Sequence, residues 1–204
     1  MPARLSSVAA ALASAHGAAD SARPDQARNN AAVALVLRPP LGEPDPFLGL
    51  CELLTIERAK SPHDPWSGQM ALPGGRLDPA DGGLVEAAVR ETREEAGVRL
   101  EAPEGMLGRG EPLRPLRPEN PPISVWPFVF RVPSQTTASA TSPEVASVHW
   151  FALDDLADPA SRDSHLWRRG SISQSFPCIR IEGRTIWGLT YRVLTRFMEV
   201  ALTG

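Results

Sequence analysis

The chain has 204 residues, 42% of them hydrophobic and 22% charged, the size and make-up of one good-sized globular domain with an extension. Its 21 Lys and Arg against 24 Asp and Glu leave a net charge of −3, without the basic excess of a nucleic-acid binder, and no acidic tract points to a tail. No run approaches the roughly 18 apolar residues of a membrane span, and Cys51 and Cys178 make neither a disulfide framework nor a paired zinc motif; they read as buried thiols of a reducing, cytoplasmic setting.

Residues Leu5 to Ala15 read as a weakly amphipathic first helix packed on the domain. A secretory signal is the poorer reading, because the charged start is thin and the apolar run is dotted with serine. Residues 16–30 are small, polar and interrupted by Pro24, as in a linker. The expected division is therefore an N-terminal helix and linker, 1–30, and a main domain, 31–204. AAVALVLR at 31–38 and FLGLCELLTIER at 47–58 read as buried strands. The loop at 59–75 contains a strand-like piece at Met70–Leu72, and a helix is predicted over roughly Gly83–Ala96. ISVWPFVFRV at 123–132 and VASVHWFAL at 145–153 read as strands. The second runs into a short helix capped by Asp154 or Asp155. Residues 160–178 read as irregular, CIRIEGRTIWGL as a hairpin turning at Glu182–Gly183, and TYRVLTRFMEVAL as an amphipathic last helix. The 21 prolines, roughly twice the average share, point to long loops such as EPLRPLRPENPP. This mixed order predicts an α+β fold, layered around a mixed sheet.

The central helix carries the chemistry. On a wheel of 100° per residue, Glu91, Glu94 and Glu95 fall within an arc of about 100°. Like charges three and four residues apart repel, and carboxylates near a helix C-terminus oppose its dipole. Both penalties vanish if a divalent cation sits among them. Carboxylate oxygens are hard ligands suited to Mg²⁺, Mn²⁺ or Ca²⁺, and Mg²⁺ keeps waters and is completed by substrate phosphates. Arg90 can orient the glutamates by charge-assisted hydrogen bonds. The plain alternative is a solvated surface helix with Arg–Glu pairs. Around it, Gly74–Gly75 permit a tight turn whose carbonyls face a metal, Asp81 can cap the helix start, and Gly97 can end it.

From Arg90 to Val98 the residues RETREEAGV, preceded by Pro73-Gly74-Gly75, resemble the signature box of the Nudix hydrolases. Every fixed position of the box ending is present, with Thr92 less apolar than usual. The stretch from Gly75 to Arg90 is one residue longer than the common spacing, and the early glutamate is absent, with Asp81, Gly82 or Gly83 in its place. LLTIERA, GQMALPGGRLDPAD, PEVASVHWFAL and IWGLT are similar to the coenzyme A pyrophosphatase branch of that family. Asp64 stands where that branch has an arginine, the loop KSPHDPW is longer, and Leu72 replaces an aromatic.

The resemblance implies a Nudix-like α/β/α sandwich that hydrolyses the pyrophosphate of a nucleoside diphosphate linked to another moiety. Coenzyme A or a derivative is the first candidate. It implies Mg²⁺ or Mn²⁺ held by Glu91, Glu94, Glu95 and the Gly74 carbonyl. Arg90, Glu91 and Glu94 are the expected catalytic residues, with the general base undecided between Glu91 and Glu94 and with Glu144 a distant candidate. Arg58 and Arg76 are expected to bind substrate phosphates. The expected partner is a small nucleotide, not nucleic acid or membrane, with a homodimer left open. ADP-ribose, dinucleoside polyphosphates or nucleoside triphosphates are alternative substrates. A non-catalytic nucleotide-sensing domain and a calcium-stabilised structural domain are rivals of another kind. Arg109, Arg114 and Arg117 are expected to keep their loop soluble, Trp66 and Trp126 to pack rather than stack on a base, and His63, His149 and His165 to be structural.

Overall fold

The computed structural model describes residues 2–18, 29–61, 66–115, 122–169 and 172–203. Most of the expected linker, together with His63, Asp64 and Arg117, lies outside these.

Strand β1, Asn29–Arg38, is the middle plank of the molecule. Its side chains alternate between two buried clusters: Ala32, Ala34 and Val36 on one side, Leu35 and Leu37 on the other. Cover on both faces explains why it reads as an unbroken apolar run. It runs parallel to β6, Ile123–Arg131, with Leu35 opposite Val129. At its C-terminal end it pairs antiparallel with β2, Glu52–Arg58, Leu37 facing Leu53. At its N-terminal end it pairs antiparallel with β4, Gly74–Arg76, Val33 facing Gly74. Strands β3, Met70–Ala71, and β7, Val145–Ala152, flank β2, while β5, Met106–Arg109, lies beyond β6. Pro127 is tolerated inside β6 because it stands at the end of the ladder with β5, where its carbonyl accepts from the Gly110 amide at 2.8 Å and its missing N–H interrupts no further pair.

Helix α2, Leu84–Ala96, covers one face of this mixed seven-stranded sheet, packing Leu84, Ala87, Ala88 and Ala96 on Ala34, Val36, Leu54 and Ile56. Helices α1, Val8–His16, and α4, Gly188–Thr203, cover the other, where Val8, Leu12, Val193, Leu194 and Phe197 meet Leu35, Leu37 and Leu53. The layering is the predicted α/β/α sandwich of an α+β fold. Among the described residues no helix is long and apolar enough to cross a membrane.

Three local expectations are corrected. FLGL before β2 is a 3-10 turn, Leu48–Leu50, not strand. Helix α3, Leu153–Ala157, starts at Ala152 without a side-chain cap; it is Asp158 that accepts from the Ala160 amide, at 2.8 Å, and caps the following turn. Residues 160–178 are not irregular. Strand β8, Arg162–Arg169, pairs along its length with β9, Ile172–Ile181, and β10, Arg184–Trp187, completes a second, antiparallel sheet. The hairpin between β9 and β10 does turn at Glu182 and Gly183, both at positive φ (47° and 76°), the conformation that matches the twist of its strands.

Candidate active site

The glycine pair and the acidic helix meet through close contacts that only glycine allows. Gly74 and Gly75 lie in β4, so they do not make the tight turn expected of them. Gly74 has φ +151°, and a methyl there would overlap the Ala32 carbonyl and Val33 of β1. A methyl on Gly75 would fall on the Glu91 carboxylate. The Gly74 amide donates to Glu95 Oε2 at 2.9 Å. It is thus the N–H of Gly74 that the structure shows in use, on one of the three glutamates.

Glu95 is buried, 5% exposed, whereas the Glu94 side chain is half exposed and that of Glu91 lies between. Burial pushes the Glu95 carboxyl up to about 7, against the opposing effects of the Gly74 amide and of Arg58. Glu91 is also raised, again by burial first, with Arg90 pulling the other way. Burial therefore works against the charged form of two of the three carboxylates.

Arg90 supplies part of it. One nitrogen, Nη1, donates to Glu91 Oε1 at 2.9 Å and to Glu94 Oε2 at 3.2 Å. Its Nε and Nη2 donate to the two oxygens of Asp81, at 2.9 and 3.0 Å, and Nη2 also reaches the Arg76 carbonyl. Asp81 therefore does not cap α2, whose start at Gly83 has no side-chain cap. It holds Arg90, accepts from the Asp78 amide at 2.8 Å, and its carboxyl is lowered chiefly by the Arg90 hydrogen bonds. Because this pair is fork-to-fork and covers the Asp81 side chain, leaving 5% of it exposed, Asp81→Ala is expected to cost about 2 kcal/mol of stability. Urea unfolding at neutral pH measures it; a loss under about 0.5 kcal/mol would mean that Arg90 needs no anchor.

The far end of α2 is tied down by the loop ahead of β7, through Ser139 and Thr141, two residues with no motif to mark them. Thr141 Oγ1 donates to the Glu94 carbonyl at 2.8 Å, the Thr141 amide to the Glu95 carbonyl, and the Ser139 amide to the Ala96 carbonyl. These are the carbonyls a helix end leaves without partners. Gly97, at φ 68°, ends the helix as expected. Thr92 fits an apolar position because its hydroxyl donates to the Ala88 carbonyl one turn back. The same loop brings Glu144, exposed, within electrostatic reach of Glu95, as β2 brings Arg58. Arg76 is exposed at the end of β4.

As the side chains stand, no three acidic, His or Cys groups among the described residues converge closely enough to hold a metal. Arg90 fills the notch between Glu91 and Glu94, and Glu95 is turned to Gly74. The donor set nevertheless fits a hard divalent cation in kind: carboxylates on one helix face, two of them disfavoured as anions by burial.

The other residues singled out in the sequence lie on elements other than α2. Trp126 is buried and donates to Asn30 Oδ1, at 3.2 Å. Arg109 lies 5.9 Å from the Trp126 ring centroid, and the Arg114 carbonyl accepts from Arg192. Trp66 is 44% exposed. His149 is 2.7 Å from the Ser147 hydroxyl and stacks on Phe151. Cys51 and Cys178 are free, buried thiols.

Residues 28–172 match the family model of the NUDIX domain. The chain is 32% identical over 170 residues to the uncharacterized Nudix hydrolase NudL of Yersinia enterocolitica, covering 81% of this chain and 80% of that protein. It is 30% identical over 166 residues to NudL of Yersinia pestis, covering 81% and 78%. Its fold resembles a MutT/nudix family protein from Enterococcus faecalis, with a TM-score of 0.56 at 15% identity over 88% of this chain; the match spans 64%, less than two thirds, of that structure. The family match takes in the glycine pair, the acidic helix and the arginine between its glutamates, and the chain belongs to the Nudix hydrolase family.

Proposed function

We propose that the protein hydrolyses the pyrophosphate bond of a nucleoside diphosphate linked to another moiety, with coenzyme A or its derivatives as the leading substrate class. The observation that carries this is the acidic face of α2 pressed against Gly74 and Gly75, with Arg90 shared by Glu91 and Glu94. Glu91, Glu94, Glu95 and the Gly74 carbonyl would hold Mg²⁺ or Mn²⁺. When bound, such an ion neutralises charge on the diphosphate and acidifies the attacking water. Arg58 and Arg76 pair with phosphate oxygens. Glu91 or Glu94 takes the proton of the water, and Glu144, in the field of Glu95, is the third carboxylate in range. Arg90 keeps the glutamates aimed, and Asp81 keeps Arg90 in place.

Coenzyme A is favoured by the LLTIERA, GQMALPGGRLDPAD and IWGLT stretches. Chromatography of products from coenzyme A, NADH, ADP-ribose and nucleoside triphosphates, each with Mg²⁺ and with Mn²⁺, tests the reading. The expected result is 3′-phospho-AMP from coenzyme A. Turnover of ADP-ribose alone would move the protein to another substrate branch. Binding without turnover of any compound would leave a nucleotide-sensing domain.

A further inference from the structure

A helix leaves its final four carbonyls without partners of its own; in α2 these belong to Arg93, Glu94, Glu95 and Ala96. The Gly97 amide takes the first, at 3.1 Å. One short segment takes the other three. Thr141 Oγ1 donates to the Glu94 carbonyl at 2.8 Å, the Thr141 amide to that of Glu95 at 3.2 Å, and the Ser139 amide to that of Ala96 at 3.0 Å. Gly97, in its left-handed conformation, already ends the helix, so these bonds are not needed to stop it. Nor does the core draw the segment there, because Ser139, Ala140 and Thr141 are all exposed.

The segment is fixed at its other end too. The Glu144 amide donates to Ser142 Oγ at 3.2 Å, the Glu144 carbonyl accepts from the Ala59 amide at 2.7 Å, and Val145 pairs with Arg58 at the end of β2. Residues 139–145 thus form a strap from the end of β2 to the turn of α2 that carries Glu94 and Glu95. That turn is held in three ways. The Gly74 amide grips the Glu95 carboxylate, Arg90 grips the Glu94 carboxylate, and the strap grips the backbone of both residues. Thr141 contributes with its whole side chain. Its hydroxyl takes the Glu94 carbonyl, and its methyl faces Gly97, where an added Cβ would come within 3.2 Å of Thr141 Cγ2. Valine would keep that shape and lose the donor, whereas serine would keep the donor.

We propose that Thr141 is a positioning residue for the divalent cation: through the Glu94 carbonyl it fixes the direction in which Glu94 and Glu95 leave the helix, and so sets how firmly the ion is held. The inference rests on the metal-dependent hydrolase reading, but it is tested without turnover. Titration calorimetry of the full chain with Mn²⁺ alone is expected to show binding that weakens about tenfold in Thr141→Val, the scale of losing a hydrogen bond behind a metal ligand, and stays within about twofold of the wild type in Thr141→Ser. Hydrogen exchange of the amides of residues 93–97 is expected to quicken about fivefold in Thr141→Val, the net worth of one hydrogen bond. Because the side chain is exposed, Thr141→Val is expected to stay folded and to melt within roughly 4 °C of the wild type. No Mn²⁺ binding by the wild type, equal affinity in Thr141→Val, or an equal loss in Thr141→Ser overturns the proposal, as does weaker binding with unchanged exchange. Failure of the hydrolase reading shows separately, as wild-type protein that binds Mn²⁺ and cleaves none of the nucleotides offered.

Discussion

In EDTA, Glu95→Gln is expected to melt above the wild type at pH 8 and level with it at pH 4, and with Mg²⁺ it is expected to lose turnover by about a hundredfold or more, the scale of removing one electrostatic stabiliser of a transition state. The two effects have one cause. A carboxyl whose folded value is raised from 4.5 to about 7 holds its proton more tightly folded than unfolded. The wild type therefore loses stability as pH climbs through that interval and stays weakened above it. The span corresponds to on the order of 3 kcal/mol. Glutamine has no charge to bury and still presents an oxygen to the Gly74 amide, so it escapes the penalty. For a chain of this size the gap at pH 8 is roughly 5–10 °C. Calorimetric melts at both pH values, with kinetics on the best substrate of the panel, check it. Equal melting at pH 8 would mean that Glu95 reaches water when folded, and unchanged turnover would remove it from the metal site.

Alanine at Gly74 and at Gly75 is expected to fail in opposite ways. At Gly74 the new methyl meets backbone of β1 on one side and needs a φ of +151° that alanine avoids. The β1–β4 pairing must part, at a cost of about 3 kcal/mol, the range of overpacking plus strain. At Gly75 the methyl meets only the end of a side chain, the Glu91 carboxylate, which can swing away. Gly75→Ala should keep nearly the wild-type melting temperature and lose turnover by about a hundredfold. Measuring melting and kcat for both variants separates them. A Gly75→Ala enzyme with normal kcat would show that Glu91 works from another rotamer.

Much of this arrangement was legible in the sequence, for reasons that differ by residue. The apolar runs of β1 and β6 announced buried strands because both their faces are covered, and the wheel of α2 put three glutamates on one arc. The wheel could not show that Glu95 alone lies inside, since that depends on β4 arriving at the helix from β3. Asp81 looked like a cap because of its place ahead of α2; Arg90, nine residues later, claims both its oxygens. Strand β8 is hard to read because RDSHLWRR is an edge strand with little apolar alternation. Strand β9 was obscured by Pro177, which lies just past the end of its pairing with β10 at Cys178 and Trp187. Short-range pattern finds elements that bury a face; it misses strands that bury little, even where, as with β8 and β9, the partner is the next element of the chain.

The alternation along β1 splits the interior into two compartments that answer to different demands. Ala32, Ala34 and Val36 underlie the acidic helix, so a change of volume there is transmitted to the spacing of its glutamates. Leu35 and Leu37, one peptide away, look toward the terminal helices. Repacking on that side can harden the protein against heat while leaving the reaction chemistry undisturbed, which gives a protein engineer a free hand on one side of a single strand and almost none on the other.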